Sequence, residues 1–114
     1  QNLLPHHVKI YNQSSSSYLM RITMLHSFYL AATTAKGALL QELVNLTVKG
    51  LTSDKVPNVR MVAAKGLEAL VAMETFDEQS VIQGQIRPAL VQTLAQEDDL
   101  DVRHACQMAI DHIK

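Results

Sequence analysis

Three stretches of this chain can be laid on one another by a simple offset, and that repetition limits what it can fold into. Val59, Val62, Ala63, Gly66, Leu67 and Leu70 form a helix-spaced stripe of apolar or small residues. The same spacing falls 43 residues later on Val102, Ala105, Cys106, Ala109, Ile110 and Ile113, and 39 residues earlier on Met20, Thr23, Met24, Ser27, Phe28 and Ala31. An Arg follows the first stripe residue each time: Arg21, Arg60 and Arg103. A period of ~40 residues, helix-spaced throughout, predicts an all-α superhelix, a solenoid of three helix hairpins stacked side by side. Such chains bind other proteins along an extended surface and rarely carry chemistry of their own.

The turn signals agree with this period. Leu39, Leu43, Leu46 and Leu51 predict a helix over 37–52. Ser53-Asp54-Lys55-Val56-Pro57-Asn58 breaks it. A residue before proline avoids the α region, and proline suits a first helical turn, so the partner helix should start near Pro57 and run to about Met73. Asp54 stands where a carboxylate can cap that start. In the third unit Ile82, Ile86, Ala89, Leu90 and Leu94 predict a helix that Pro88 bends or restarts. Gln96-Glu97-Asp98-Asp99 then makes the turn, with Asp99 the cap of a helix over 100–114.

The first unit is looser. Leu3, Leu4, Val8 and Tyr11 predict one helix, Asn12 to Ser17 the turn, and Tyr18 to Ala32 the second helix. The units are therefore 1–35, 36–77 and 78–114. The position matching Leu39 would fall before residue 1, so the first helix is either a shortened cap or a cut helix. A fragment of a longer array is the favoured reading. It implies self-association of the isolated chain through Leu3, Leu4, Val8, Met20 and Met24.

Composition narrows the function. Apolar residues make up 47% of the 114 and aromatics only 4%, so alanine, leucine and valine must pack closely spaced helices. The net charge of -1 argues against a nucleic-acid surface, which needs a basic face. One Cys excludes an intrachain disulfide and points to a reducing compartment, the cytoplasm and also the nucleus. No apolar run approaches the ~20 residues of a membrane span.

Asp54-Lys55-Val56-Pro57-Asn58-Val59-Arg60, followed by Ala63-Ala64-Lys65-Gly66-Leu67, resembles a HEAT repeat: an Asp at the turn, a Val-Arg pair opening the second helix, then an Ala-Lys segment. Asp101-Val102-Arg103 repeats the Val-Arg element. The order of Tyr18-Leu19-Met20-Arg21, Asn58-Val59-Arg60, Ile86-Arg87-Pro88 and Asp99-Leu100-Asp101-Val102-Arg103 is similar to the last repeats of the scaffold subunits of type 2A serine/threonine protein phosphatases. Two features depart from that pattern: Ser14 to Ser17 replace a Gly-Asp-Pro type turn, and Met20 replaces a His. The resemblance implies a non-catalytic, cofactor-free scaffold. Its partners would be a phosphatase catalytic subunit, held by the C-terminal repeats, and regulatory subunits, held by the N-terminal ones. It places the contacts on the ridge of turns, at Tyr18, Leu19, Arg21, Val56, Asn58, Asp99 and Arg103. The rival is a HEAT module of a transport receptor or a chromosome-organising complex.

Other constellations have bland explanations. His6 and His7 are adjacent, and adjacent helical side chains diverge by about 100°, so they do not converge on a metal. Cys106 lies on the apolar stripe and reads as core, away from His104 and His112. Glu97, Asp98, Asp99 and Asp101 lack the glycine and spaced ligands of a calcium loop. The three Arg residues have two readings that one side chain can serve together: each ties its turn to an Asp of the same or the next turn, or each meets a partner on the ridge.

Overall fold

A computed structural model describes residues 18–113. These form five helices and no strand. The helix expected around Leu3 to Tyr11 and the turn at Asn12 to Ser17 lie outside the described residues. The helices expected for the second and third units, and the helix expected over Tyr18 to Ala32, are in view.

Helix α1 (Tyr18–Ala32) has the expected bounds. It buries Met24, Leu25, Phe28 and Ala32. Its buried face is turned relative to the sequence stripe: Met20 is 41% exposed and Thr23 is exposed, while Leu25 is buried. Met24, expected on an open face, is inside the core.

Helix α2 (Gly37–Ser53) begins at a glycine with φ of 62°, a left-handed conformation that a side chain disfavours. It buries Leu40, Leu43, Val44, Leu46, Thr47, Gly50 and Leu51, a wider face than the leucine stripe alone. The width follows from its neighbours, because α2 packs against three other helices.

Helix α3 (Pro57–Ala72) starts at the predicted proline, after an extended Val56 at φ -92° and ψ 119°. Asp54 does not cap it. Its carboxylate instead accepts the Val56 N–H two residues on, at 2.9 Å. Val59 and Arg60 donate their N–H groups to the Val56 carbonyl. Proline at the helix start has no N–H to satisfy, which lessens the need for a side-chain cap.

Helix α4 is continuous but changes pitch: Gln79–Val81 is α-helical, Ile82–Ile86 is a π turn and Arg87–Gln96 is α-helical again. Pro88 explains this. Its ring crowds the carbonyl four residues back, and the backbone relieves that by widening into a π turn. The Arg87 N–H reaches Ile82 O, five residues back. Helix α5 (Leu100–His112) is capped as predicted, the Asp99 carboxylate accepting from Asp101 N at 3.0 Å and Val102 N at 3.1 Å.

Residues 54–56 join α2 to α3, and 97–99 join α4 to α5. Helix α3 packs against α1 and α5, and α2 packs against α4. The second helices of the hairpins thus form one layer and the first helices another. The 34 × 31 × 17 Å extents fit two helix layers at the usual 8–10 Å spacing. Ala63, Ala64, Ala105 and Ala109, all buried, bring α3 and α5 close together. Phe28, Leu43, Leu51, Leu67, Ile86 and Leu90 fill the core between the layers.

Two substitutions test this packing. Leu67 is 1% exposed in the central helix, so Leu67→Ala should lower unfolding free energy by about 2–5 kcal/mol in urea titrations. Gly66 should behave oppositely. A Cβ there would lie 3.8 Å from Tyr29 Cβ, an ordinary contact, beside a small cavity lined by Tyr29, Leu43, Val44 and Leu70. Gly66→Ala should raise stability by about 0.5–1 kcal/mol, the usual helix-interior difference. A loss there would mean that α1 and α3 are closer than described.

Candidate interaction surface at the helix turns

The Arg that follows each stripe start lies one turn into its helix, pointing toward the end where the hairpin turns gather. A guanidinium there is only partly solvated and needs acceptors. Arg21 on α1 reaches the second turn, donating from Nε to Asp54 Oδ2 at 2.6 Å and from Nη2 to Oδ1 at 3.2 Å. Arg60 on α3 makes the same reach into the third turn, with Nε to Glu97 Oε1 at 2.7 Å and Nη2 to Oε2 at 2.9 Å. Both are two-point contacts, the strong form of charge-assisted bond. Arg60 also donates to the Asp54 carbonyl at 2.9 Å, binding its own turn to the next. Arg103 turns to backbone, donating to Leu94 O at 2.5 Å and Glu97 O at 3.1 Å.

The electrostatics follow from these pairs. The hydrogen bond from Arg60 holds the Glu97 carboxyl below its ordinary range, and Glu97 in turn raises the Arg60 guanidinium above its own. Glu97 also accepts the Asp99 N–H at 3.1 Å, so one carboxylate fixes the turn and the neighbouring helix together.

The ridge residues named from the sequence fall into two groups. Leu19, at 62% exposure, and Asn58 are open to solvent. Tyr18 begins α1, but its side chain is outside the described residues. Arg21, Val56, Asp99 and Arg103 are partly buried: Arg21 on Asp54, Val56 against the core, Asp99 as a cap and Arg103 on backbone carbonyls. The structure brings Arg21 to the Asp54–Val56 turn and sets Asp99 and Arg103 together at the next one. Leu100, 79% exposed, is the most open large apolar side chain of the described residues.

Glu97 is the residue the sequence reading missed, since it was weighed only as part of an acidic run. The available signal was its place in the turn after Arg60, which parallels Asp54 in the turn after Arg21. A second tie between units, the amide cluster of Gln41, Asn45 and Gln85, joins α2 to α4 and left no mark in the repeat pattern.

Elsewhere the chemistry is quiet. Cys106 is fully buried, and burial pushes its thiol up to about 11, far from a reactive thiolate at neutral pH. His112 lies 3.4 Å from Glu68 across α3 and α5. Among the described residues no group of three or more His, Cys, Asp or Glu could hold a metal, and no helix is long and apolar enough to cross a membrane. His6 and His7 lie outside the described residues. No protein-family model, curated protein or solved structure matches the chain.

The Arg60–Glu97 pair supplies a test. Both side chains are mostly buried, at 18% and 7% exposure. Arg60→Ala strands the carboxylate and should cost about 3 kcal/mol, while Arg60→Met with Glu97→Met should recover most of that loss. A loss under about 1 kcal/mol for the single variant would class the pair with exposed ones. The pH dependence has a definite sign. Glu97 is more acidic folded than unfolded, so its contribution is complete above its ordinary value of 4.5 and fades as pH falls through the folded value. Glu97→Gln should therefore flatten the acid limb of the stability curve below about pH 4.5.

Proposed function

We propose that this chain is made of HEAT-type repeats and serves as a non-catalytic scaffold. It would hold a serine/threonine protein phosphatase catalytic subunit in position relative to regulatory subunits. The observation that carries the reading is the repeated tie between turns. Arg21 and Arg60 occupy the same repeat position, and each takes the carboxylate of the following turn. A helix array that renews one contact per unit presents its turns as a firm row. The mechanism would be positional: tethering raises the effective concentration of an enzyme near its substrate without new bond chemistry.

The partly buried Arg residues hold the turns, so the contact energy on this reading falls to the exposed residues beside them. Interfaces of this kind concentrate their energy in a few anchors within a polar rim. Leu19, Asn58 and Leu100 are among the exposed side chains along the row. The full-length protein should co-purify with a phosphatase catalytic subunit. Leu19→Ser combined with Leu100→Ser should weaken that binding by about 2 kcal/mol or more with helicity unchanged by circular dichroism. Failure of the wild-type protein to retain any phosphatase would overturn the reading.

A further inference from the structure

The third unit repeats the Arg of the other two but not its acid. Arg21 and Arg60 each use the Nε–Nη2 edge of the guanidinium for a carboxylate of the following turn. In Arg60 the remaining nitrogen, Nη1, donates to the carbonyl six residues back, Asp54 O, at 2.9 Å. Arg103 keeps that anchor. Its Nη1 donates to Glu97 O, again six residues back, at 3.1 Å, and to Leu94 O as well. Its Nε and Nη2 meet no acceptor among the described residues. Neither atom is sealed inside the protein, so the edge is held in place and open to solvent.

The surroundings of that edge differ from those of Arg60 in a consistent way. Shifted by 43 residues, buried Ala64 becomes exposed Gln107, and buried Leu67 becomes partly buried Ile110. Pro57 becomes Leu100, which is 79% exposed. Leu100, Arg103 and Gln107 lie three and four residues apart, and so share one face of α5. An alanine lets a neighbouring helix approach closely. A glutamine in its place holds a helix off and offers an amide instead. The face is therefore unlike the α3–α5 seam and suits a segment thinner than a packed helix.

Charge selects the ligand. A planar guanidinium edge with two parallel donors matches a carboxylate or a phosphate. Glu97, Asp98, Asp99 and Asp101 lie in or beside the same turn, and they repel a doubly charged phosphate more than a single carboxylate. A carboxylate is also what the same edge takes twice within this protein. A second copy stacked head to tail does not supply one, because Asn12 to Ser17, the stretch that would meet Arg103, contains no acid.

We infer that the open face of α5 receives an Asp or Glu side chain from an extended segment of a protein partner, held at two points by Arg103 Nε and Nη2. Leu100 packs an apolar neighbour of that acid. Gln107, whose Nε2 is taken by Asp111, offers its amide oxygen to the backbone of the segment.

The probe is a fluorescein-labelled six-residue peptide with two glutamates flanking a leucine, followed by anisotropy against the full chain at low and physiological salt. It should bind, more weakly as salt rises, and the same peptide with glutamines should bind about fivefold more weakly or worse. Arg103→Lys keeps the charge but loses the two-point edge, and should weaken binding about fivefold or more. Gln107→Glu places a competing carboxylate one turn from the guanidinium and should weaken binding as much, with the thermal midpoint unchanged. It leaves the backbone anchors of Arg103 in place, so it decides the outcome even where Arg103→Lys loosens the turn. Lys36→Gln, which removes an exposed cation between α1 and α2, should leave binding unchanged. No binding by the wild type, equal loss in Lys36→Gln and Arg103→Lys, or unchanged binding in Gln107→Glu would overturn the inference. So would tighter binding of a phosphoserine peptide, or a wild-type dimer in sedimentation that Arg103→Lys dissolves, since either names a different occupant.

Discussion

Burial of α3 between α1 and α5 is the contact on which the remaining arrangement depends. Val59, Ala63, Ala64, Leu67 and Leu70 leave almost no surface in water. Two of these five are alanines, and the facing helix α5 answers with Ala105 and Ala109. Small residues on both sides let the helices approach closely, so many weak dispersion contacts accumulate over a short distance. With α3 held on two sides, its hairpin partner α2 has one course open to it, over the second layer. There it meets α4, and the leucines between the layers become dry. A chain with so few aromatic residues reaches a dense core by this route, through closeness of helices and not through bulk.

The charged groups act on a different problem. Apolar packing is tolerant of small slides, because a helix shifted by part of a turn still buries leucine and alanine. The two-point contacts of Arg21 with Asp54 and of Arg60 with Glu97 are not tolerant. Their geometry is satisfied at one offset between neighbouring turns. Partly buried ion pairs add little net stability over apolar replacements, but breaking one is costly. They therefore set register. Glu97 extends that control to the next helix by accepting the Asp99 N–H, while Asp99 caps α5.

The helix boundaries were legible in the sequence for local reasons. Tyr18 to Ala32 was placed to the residue, α3 started at its predicted proline, and Asp99 capped α5 as its position suggested. Proline and aspartate act within a few residues of themselves, so their effect can be read without knowing the fold. The restart of α4 near Pro88 has the same origin, although the π turn that absorbs the crowding was not foreseen. Asp54 shows the limit of local reading. It has the right type and place for a cap, yet its carboxylate is committed to Val56 and to an Arg from 33 residues earlier.

Sequence alone determined that the chain is helical, where its helices begin, and that a helix-spaced stripe recurs at about 40 residues. Those properties follow from spacing, proline and caps, which are short-range. Only the tertiary structure decided which face each helix buries and which acid each Arg meets. Leu25 is buried and Met20 half-open because α1 answers to both α2 and α3 at once. Glu97, not a neighbouring Asp, took Arg60 because its side chain reaches the guanidinium across the gap between turns. Such choices depend on distances between segments that are far apart in the chain, and no local pattern carries those distances.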